Sequence, residues 1–370
     1  MGEALVYSWT WIASQKVLLE FLDGIEDTSW LALDTEFLRI RTYYPKLCLI
    51  QVSNGIEHAL IDTQAELDLS VLVERLRRSD RVSVLHACLQ DVEIMHHNFD
   101  LIPGNVFDTQ VAWALLGHGF QVSYAAMVEK RLGIALDKSQ VRSWWDRRPL
   151  KPTQLHYALF DVVHLGPIYQ QLSEELEARG RLDWMQEEMK RVLTPSTWIP
   201  DPDQVWKRVR IPNGNVPSER LHVLQGLARW RELLARRQDR ARVRVAPDEV
   251  LADLACAQLR NRQEFDRTVA DRVSWKLRDR LWETLQLAEE HPPLSLKSMS
   301  REERSEQHRK VRILAGVARR IAEEIEVSPE LLAPRAMLEE LVYQNPDSIV
   351  LQGWRGETVG PALTEALNAL

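Results

Sequence analysis

The spacing of apolar residues changes along the chain. Through its first half, short apolar runs of strand length alternate with stretches whose apolar positions recur at three and four residues. The runs predict strands over 30–36, 47–52, 58–61 and 82–86, and the longer period predicts helices over 64–78, 89–97, 110–116, 123–132 and 153–178. Pro167 interrupts the last of these, having no N–H to give to an intrahelical bond. The first three strands follow one another through short connections. That suggests an antiparallel meander extended by helix-linked strands, a mixed sheet with helices on both faces.

Residues 195–218, PSTWIPDPDQVWKRVRIPNGNVPS, contain five prolines and mark a boundary. Beyond it the strand signal fades and helical periodicity dominates. An internal echo joins RVAPDEVLADLACA at 244–257 to EVSPELLAPRAMLEEL at 326–341, each placing Ser or Pro with acids at a helix start, where the helix dipole favours them. The expected architecture is an α/β domain over 1–200 followed by two small all-α domains over 215–292 and 296–370, divided near HPPLSLKS.

The chain has 370 residues, 27% of them charged and 45% hydrophobic, as in ordinary globular proteins. No run of 18 apolar residues exists, and the N-terminus lacks a basic segment leading into an apolar one, so the expectation is a cytoplasmic protein without a membrane contact. Cys48, Cys88 and Cys256 are too scattered for a disulfide framework, and their apolar contexts predict buried thiols. No dimerisation heptad occurs, and a monomer is the default. Most of the thirteen tryptophans belong in cores, with a minority free to stack on bases. A net charge of −7 argues against phosphate binding until its distribution is considered. Residues 204–245 hold eleven Lys or Arg against three acids, a local excess of +8 that fits either a nucleic-acid surface or a solvated Arg-rich helix face.

Candidate chemistry lies in three acidic motifs. In LALDTEF, Asp34 and Glu36 leave a strand on one face while Leu33, Thr35 and Phe37 take the other. LHACLQDVEI carries Asp91 just past a strand, and HYALFDVV places Tyr157 and Asp161 four residues apart on one helix face. Four converging carboxylates repel one another unless cations neutralise them. Hard oxygen donors without a Cys or His cluster point to magnesium or manganese. Two such ions can serve an in-line phosphoryl displacement, which makes phosphodiester hydrolysis the chemistry suggested.

The ordered series LDTEFLRIRTYYPKLCLIQV, LHACLQDVEI, FDTQVAWALLG, LDKSQVRSWWDRRPL and YALFDVVHL resembles the ribonuclease D family of the DEDD exonuclease superfamily over roughly residues 30–170. The resemblance implies a ribonuclease H-like fold and a 3′–5′ exoribonuclease that releases nucleoside 5′-monophosphates and trims tRNA precursors and other structured RNA at single-stranded 3′ ends. It assigns Asp34, Glu36, Asp91 and Asp161 as ligands of two divalent ions, Mg²⁺ or Mn²⁺, and Tyr157 as the group that orients the attacking water. The chain carries both Tyr157 and His156, at the spacings that distinguish two classes of the superfamily. The LDKS and RRPL segments resemble the tyrosine class, and on a continuous helix His156 points roughly 140° away from Asp161. The C-terminal region resembles paired helicase-and-RNase-D C-terminal (HRDC) modules, the second through VSPELLAP and Gly353-Trp354-Arg355.

RNA contacts are open on several residues. Phe37 can stack a base or belong to the core. Arg39 and Arg41, with Tyr43, Tyr44 and Lys46, either hold phosphate and a base or form an outward strand edge turning at Pro45. Lys138, Arg142, Trp144 and Arg148 occupy a segment able to cover the site, with Lys138 the preferred phosphate contact. Asp108, at a strand end before a helix, reads as a cap rather than a fifth ligand. A DNA 3′–5′ exonuclease is the alternative, since the four acids do not read the sugar. A catalytically silent RNA-binding scaffold is disfavoured by the intact acids.

Overall fold

The computed structural model describes residues 7–137, 140, 143–211, 216–294, 300–343 and 347–370. Their contacts divide into two compact units. Described residues of Met1–Leu38, Leu47–Thr194 and Ser300–Leu370 form the first, and those of Arg39–Lys46 and Pro195–Met299 the second.

The first unit is built on six strands: β1 (Thr10–Ile12), β2 (Trp30–Leu38), β3 (Lys46–Ser53), β4 (His58–Asp62), β5 (Val82–Leu85) and β6 (Val106–Asp108). They lie in the order β1-β4-β3-β2-β5-β6. β3 and β4 pair antiparallel, while β1–β4, β2–β5 and β5–β6 pair in parallel. This is the mixed sheet the sequence led us to expect. β1 and β6 were not foreseen, because three residues are too few to show alternation.

Eight helices accompany the sheet: α1 (Gln15–Gly24), α2 (Ser70–Arg77), α3 (Leu89–Phe99), α4 (Thr109–Leu115), α5 (Tyr124–Leu132), α6 (Pro152–Val163), α7 (Leu165–Ala178) and α8 (Leu182–Val192). The long helix predicted over 153–178 breaks at His164, three residues before Pro167. Pro167 thereby falls in the first turn of α7, where no N–H is required. Gly166 seats that junction against β2, since a Cβ there would lie 2.2 Å from the Trp30 ring.

The second unit contains α9 (Leu221–Arg237), α10 (Arg242–Val245), α11 (Asp248–Cys256), α12 (Arg262–Val269) and α13 (Trp275–Glu290). α9 and α13 approach closely at Gly226, where an added Cβ would sit 2.9 Å from that of Ala288. Tyr43, from the segment Arg39–Lys46, packs on this unit's core. Its hydroxyl donates to the buried Glu232 carboxylate, which also accepts from Arg236 and Arg242. The backbone N–H groups of Tyr43 and Tyr44 donate to Asp239 Oδ1 at 3.0 and 2.9 Å. The expectations for RIRTYYPK did not include this anchoring of Tyr43 and Tyr44. The segment is stapled to a helical unit through partners about 190 residues away, a distance no local pattern reports.

The remaining helices, α14 (Arg301–Glu324), α15 (Pro329–Leu332), α16 (Arg335–Val342), α17 (Gly353–Thr358) and α18 (Gly360–Asn368), belong to the first unit. The sequence set 296–370 apart as a module of its own, whereas its helices pack on the α/β part. Arg181 donates to the carbonyls of Leu115 and Glu326, at 2.6 and 2.9 Å. Trp354 stacks on Trp184 with ring centroids 4.7 Å apart, and the buried Arg355 pairs with the buried Glu188. Cys48 and Cys88 are buried as expected, but Cys256 is exposed, because α11 turns Val250, Leu251, Leu254 and Ala255 inward instead. Among the described residues no helix is long and apolar enough to cross a membrane.

Candidate active site

β2 pairs with β5 only through Ala32, so Asp34 and Glu36 project beyond the stretch paired with β5, at the end where the parallel strands deliver their loops. Asp91 stands in the first turn of α3, shortly after β5. The turn before it is shaped by Asp108, which accepts from the N–H groups of Ala87 (2.9 Å), Cys88 (2.8 Å) and Gln110 (2.8 Å). Asp108 is therefore a cap, as its position suggested. α6 packs against β2 and brings Asp161 over the acid pair.

Carboxylate oxygens of Asp34, Glu36 and Asp161 all lie within 4.8 Å of one another. Asp91 is more deeply buried, and its charge acts on all three. Burial, then the charges of Asp161, Asp91 and Glu36, holds Asp34 well above the usual carboxylate range. Glu36 is raised by burial and then by Asp161 and Asp91. Burial pushes Asp91 up to about 7 and Asp161 up to about 8. Burial leads every shift; neighbouring acids of the group add to it at Asp34, Glu36 and Asp161, and Asp108 adds to it at Asp91.

Among the described residues, the hydrogen-bonding partners of these acids are neutral groups. Thr35 Oγ1 donates to Asp91 Oδ1 at 2.5 Å, while the Trp145 indole lowers the Glu36 carboxyl and the Tyr157 hydroxyl lowers that of Asp161 through hydrogen-bonding influence. Asp34 is served by the backbone N–H of Thr35. Such donors orient a carboxylate and leave its charge in place. A donor set of hard carboxylate oxygens fits divalent cations of the magnesium type.

Tyr157 is half-buried, and burial followed by the charge of Asp161 raises its phenol far above its ordinary value. It stays protonated at neutral pH. His156 is exposed and stacks on Phe160 at 4.1 Å, outside the acid cluster. Phe37 is half-buried beside Glu36 in sequence. Trp144 is 51% exposed, with the Arg147 guanidinium 5.2 Å from its ring centroid. Arg39 and Arg41 are exposed and belong to the segment held by the second unit. Lys138 and Arg142 lie outside the described residues.

Two residues were missed by sequence reasoning. Thr35 was assigned to the strand face opposite the acids, yet its hydroxyl meets Asp91. Trp145 was overlooked beside Trp144, although the WW pair offered a signal: adjacent tryptophans in a loop rarely share one environment, and here one is exposed and the other buried.

The 3′-5′ exonuclease family model matches residues 9–177, and that of the HRDC domain matches residues 220–287. The first defines the class, an exonuclease fold joined to an HRDC module. Ribonuclease D of Zymomonas mobilis is 35% identical over 365 residues, covering 94% of this chain and 91% of that protein. That of Sphingobium indicum is 34% identical, covering 94% and 92%. The crystal structure of Escherichia coli RNase D, described as an exoribonuclease involved in structured RNA processing, superposes with a TM-score of 0.84 at 29% identity, over 98% of this chain and 99% of that one. The catalytic core of RRP6 from Trypanosoma brucei, 22% identical with a TM-score of 0.61 over 77% of this chain and 80% of its own, shares the fold. The chain belongs to the ribonuclease D family. It is a hydrolase, a 3′–5′ exoribonuclease.

Proposed function

We propose that this enzyme trims single-stranded 3′ ends of structured RNA, tRNA precursors among them, releasing nucleoside 5′-monophosphates, and that it acts as a cytoplasmic monomer. The single observation that carries the mechanism is the group of three carboxylates within 4.8 Å, with the charge of Asp91 acting on them and, among the described residues, neutral groups as their hydrogen-bonding partners. Asp34, Glu36, Asp91 and Asp161 would hold two divalent ions, Mg²⁺ or Mn²⁺. When bound, such ions supply charge stabilisation for the attacking and leaving oxygens of the phosphoryl displacement.

Tyr157 orients the attacking water. A phenol held protonated cannot take the proton at neutral pH, so its part is a directed hydrogen bond. Its anchoring on Asp161 fixes where that bond points. Trp144 with Arg147, together with Phe37, would receive the terminal bases by stacking, and Lys138, Arg39 and Arg41 would meet phosphates. Residues 296–370 are read as a second HRDC-like module.

Digestion of 3′-labelled RNA and DNA oligonucleotides of one sequence, with magnesium or manganese, tests the reading. Stepwise release of 5′-monophosphates from RNA with little action on DNA is expected. Equal digestion of DNA would favour a DNA exonuclease instead.

A further inference from the structure

A chain of contacts runs from β4 to Glu36, and the site as described so far does not use it. Asp62, at the end of β4, receives Arg148 through two bonds, Nε to Oδ2 at 2.8 Å and Nη2 to Oδ1 at 2.6 Å. The same guanidinium donates to the Cys48 carbonyl on β3 at 2.8 Å and to the Trp145 carbonyl at 2.7 Å. Trp145 is 2% exposed. Its ring lies 6.1 Å from that of Tyr157, and its indole is the side-chain group whose hydrogen-bonding influence lowers the Glu36 carboxyl.

We propose that Asp62, Arg148 and Trp145 form a strut that positions Glu36 for cation binding and steadies Tyr157. Trp145 is the positioning residue and the Asp62–Arg148 pair is its anchor. Two features set this apart from loop packing. A planar guanidinium bonded to a carboxylate and to the carbonyls of Cys48, Trp145 and Arg147 leaves the loop no freedom to slide along the sheet. The bound end of the loop is the residue whose indole acts on the acid, and whose ring rests on Tyr157. Groups that hydrogen-bond a metal ligand from outside its coordination sphere typically change metal affinity by about 10- to 100-fold when lost.

The inference rests on the reading that the four acids hold divalent ions, and the test separates the two. Mn²⁺ binding to the full chain is measured by titration calorimetry for the wild type and for Asp34→Asn, Trp145→Phe and Arg148→Lys. Trp145→Phe keeps an aromatic ring and removes the N–H; Arg148→Lys keeps a charge against Asp62 and loses the fork. Both are expected to weaken Mn²⁺ binding on the order of tenfold or more. Each should also lower kcat at limiting Mn²⁺, recover it at high Mn²⁺ and leave the KM for RNA unchanged. Mere loosening of the fold would not be rescued by the ion. Wild-type Mn²⁺ affinity in a folded Trp145→Phe protein overturns the strut. Should that variant not fold, wild-type affinity in Arg148→Lys overturns it equally. Asp34→Asn distinguishes the failures: if it too binds Mn²⁺ as the wild type does, the acids are not the ion site and the larger reading falls.

Discussion

Asp34→Asn should make the metal-free protein more stable while nearly abolishing its activity. Asparagine keeps the shape of aspartate and removes one negative charge from a group whose oxygens lie within 4.8 Å. At an effective dielectric of about 20, two unit charges at that separation repel by about 3.5 kcal/mol. Solvent reaching these half-buried acids, and protons taken up in response to the repulsion, reduce the gain to about 1–3 kcal/mol. At about 2–4 °C per kcal/mol for a unit of this size, the melting temperature in EDTA at pH 8 should rise on the order of 5 °C. The difference should shrink toward pH 5. With folded values of about 7 for Asp91 and about 8 for Asp161, the folded state binds more protons than the unfolded state above about pH 4, so wild-type stability falls as pH rises through that window. Calorimetry in EDTA across pH 5–8 reads this directly. With saturating magnesium and 3′-labelled RNA, kcat should drop by three or more orders of magnitude, roughly 4 kcal/mol or more of transition-state stabilisation. A folded variant with wild-type stability at pH 8 and near-full turnover would refute the assignment of Asp34 to a charged cation site.

Tyr157→Phe should lower kcat with little change in KM, and His156→Ala should leave both near wild type; a large loss from the histidine change with a neutral tyrosine change would reverse their roles. Glu232→Gln should destabilise the second unit by about 1–3 kcal/mol, because the partly exposed Arg236 and Arg242 lose a charged hydrogen-bond partner. An unchanged denaturant midpoint would show that the pair is dispensable. Arg236 is internal, so the phosphate-binding test of the basic segment uses Arg237→Glu with Arg240→Glu: binding of long structured RNA should weaken and its salt slope flatten by roughly 0.7 per lost contact to a single strand. Equal affinity and slope would mark these arginines as a solvated face.

The four acids and the central strands were legible because each acid stands within or just past an apolar run whose period gives its direction. Leu-Ala-Leu before Asp34 reads as a strand from sequence alone, and β2 is that strand. The donors to the acids were not legible. Whether Trp144 or Trp145 turns inward depends on Arg148 reaching Asp62, 86 residues earlier in the chain. The basic run at 204–245 stayed open in the sequence for the same reason. Its arginines look like a phosphate surface, yet Arg220 pairs with Glu289, Arg229 with Asp203, Arg231 with Asp248, and Arg236 and Arg242 with Glu232. Local charge counts cannot report partners supplied from elsewhere.

The donors explain how the site can be both ordered and charged. An arginine bonded to Glu36 or Asp161 would hold the carboxylate as firmly as Trp145 or Tyr157 does, but it would neutralise part of the charge that attracts the ions. Hydroxyl, indole and backbone N–H groups fix direction without that loss. The consequence is a metal-free site under electrostatic strain, visible in the raised carboxylates, that a divalent cation relieves on binding. Ion binding should then stabilise the first unit more at pH 8 than at pH 5, since at low pH protons already occupy the acids and must be displaced. Of the elements that carry the donors, β2 is a strand of the sheet, and α6 and the loop at Trp145 pack against it through Ala158, Trp145 and Leu150, so the arrangement of the acids is held by packed structure.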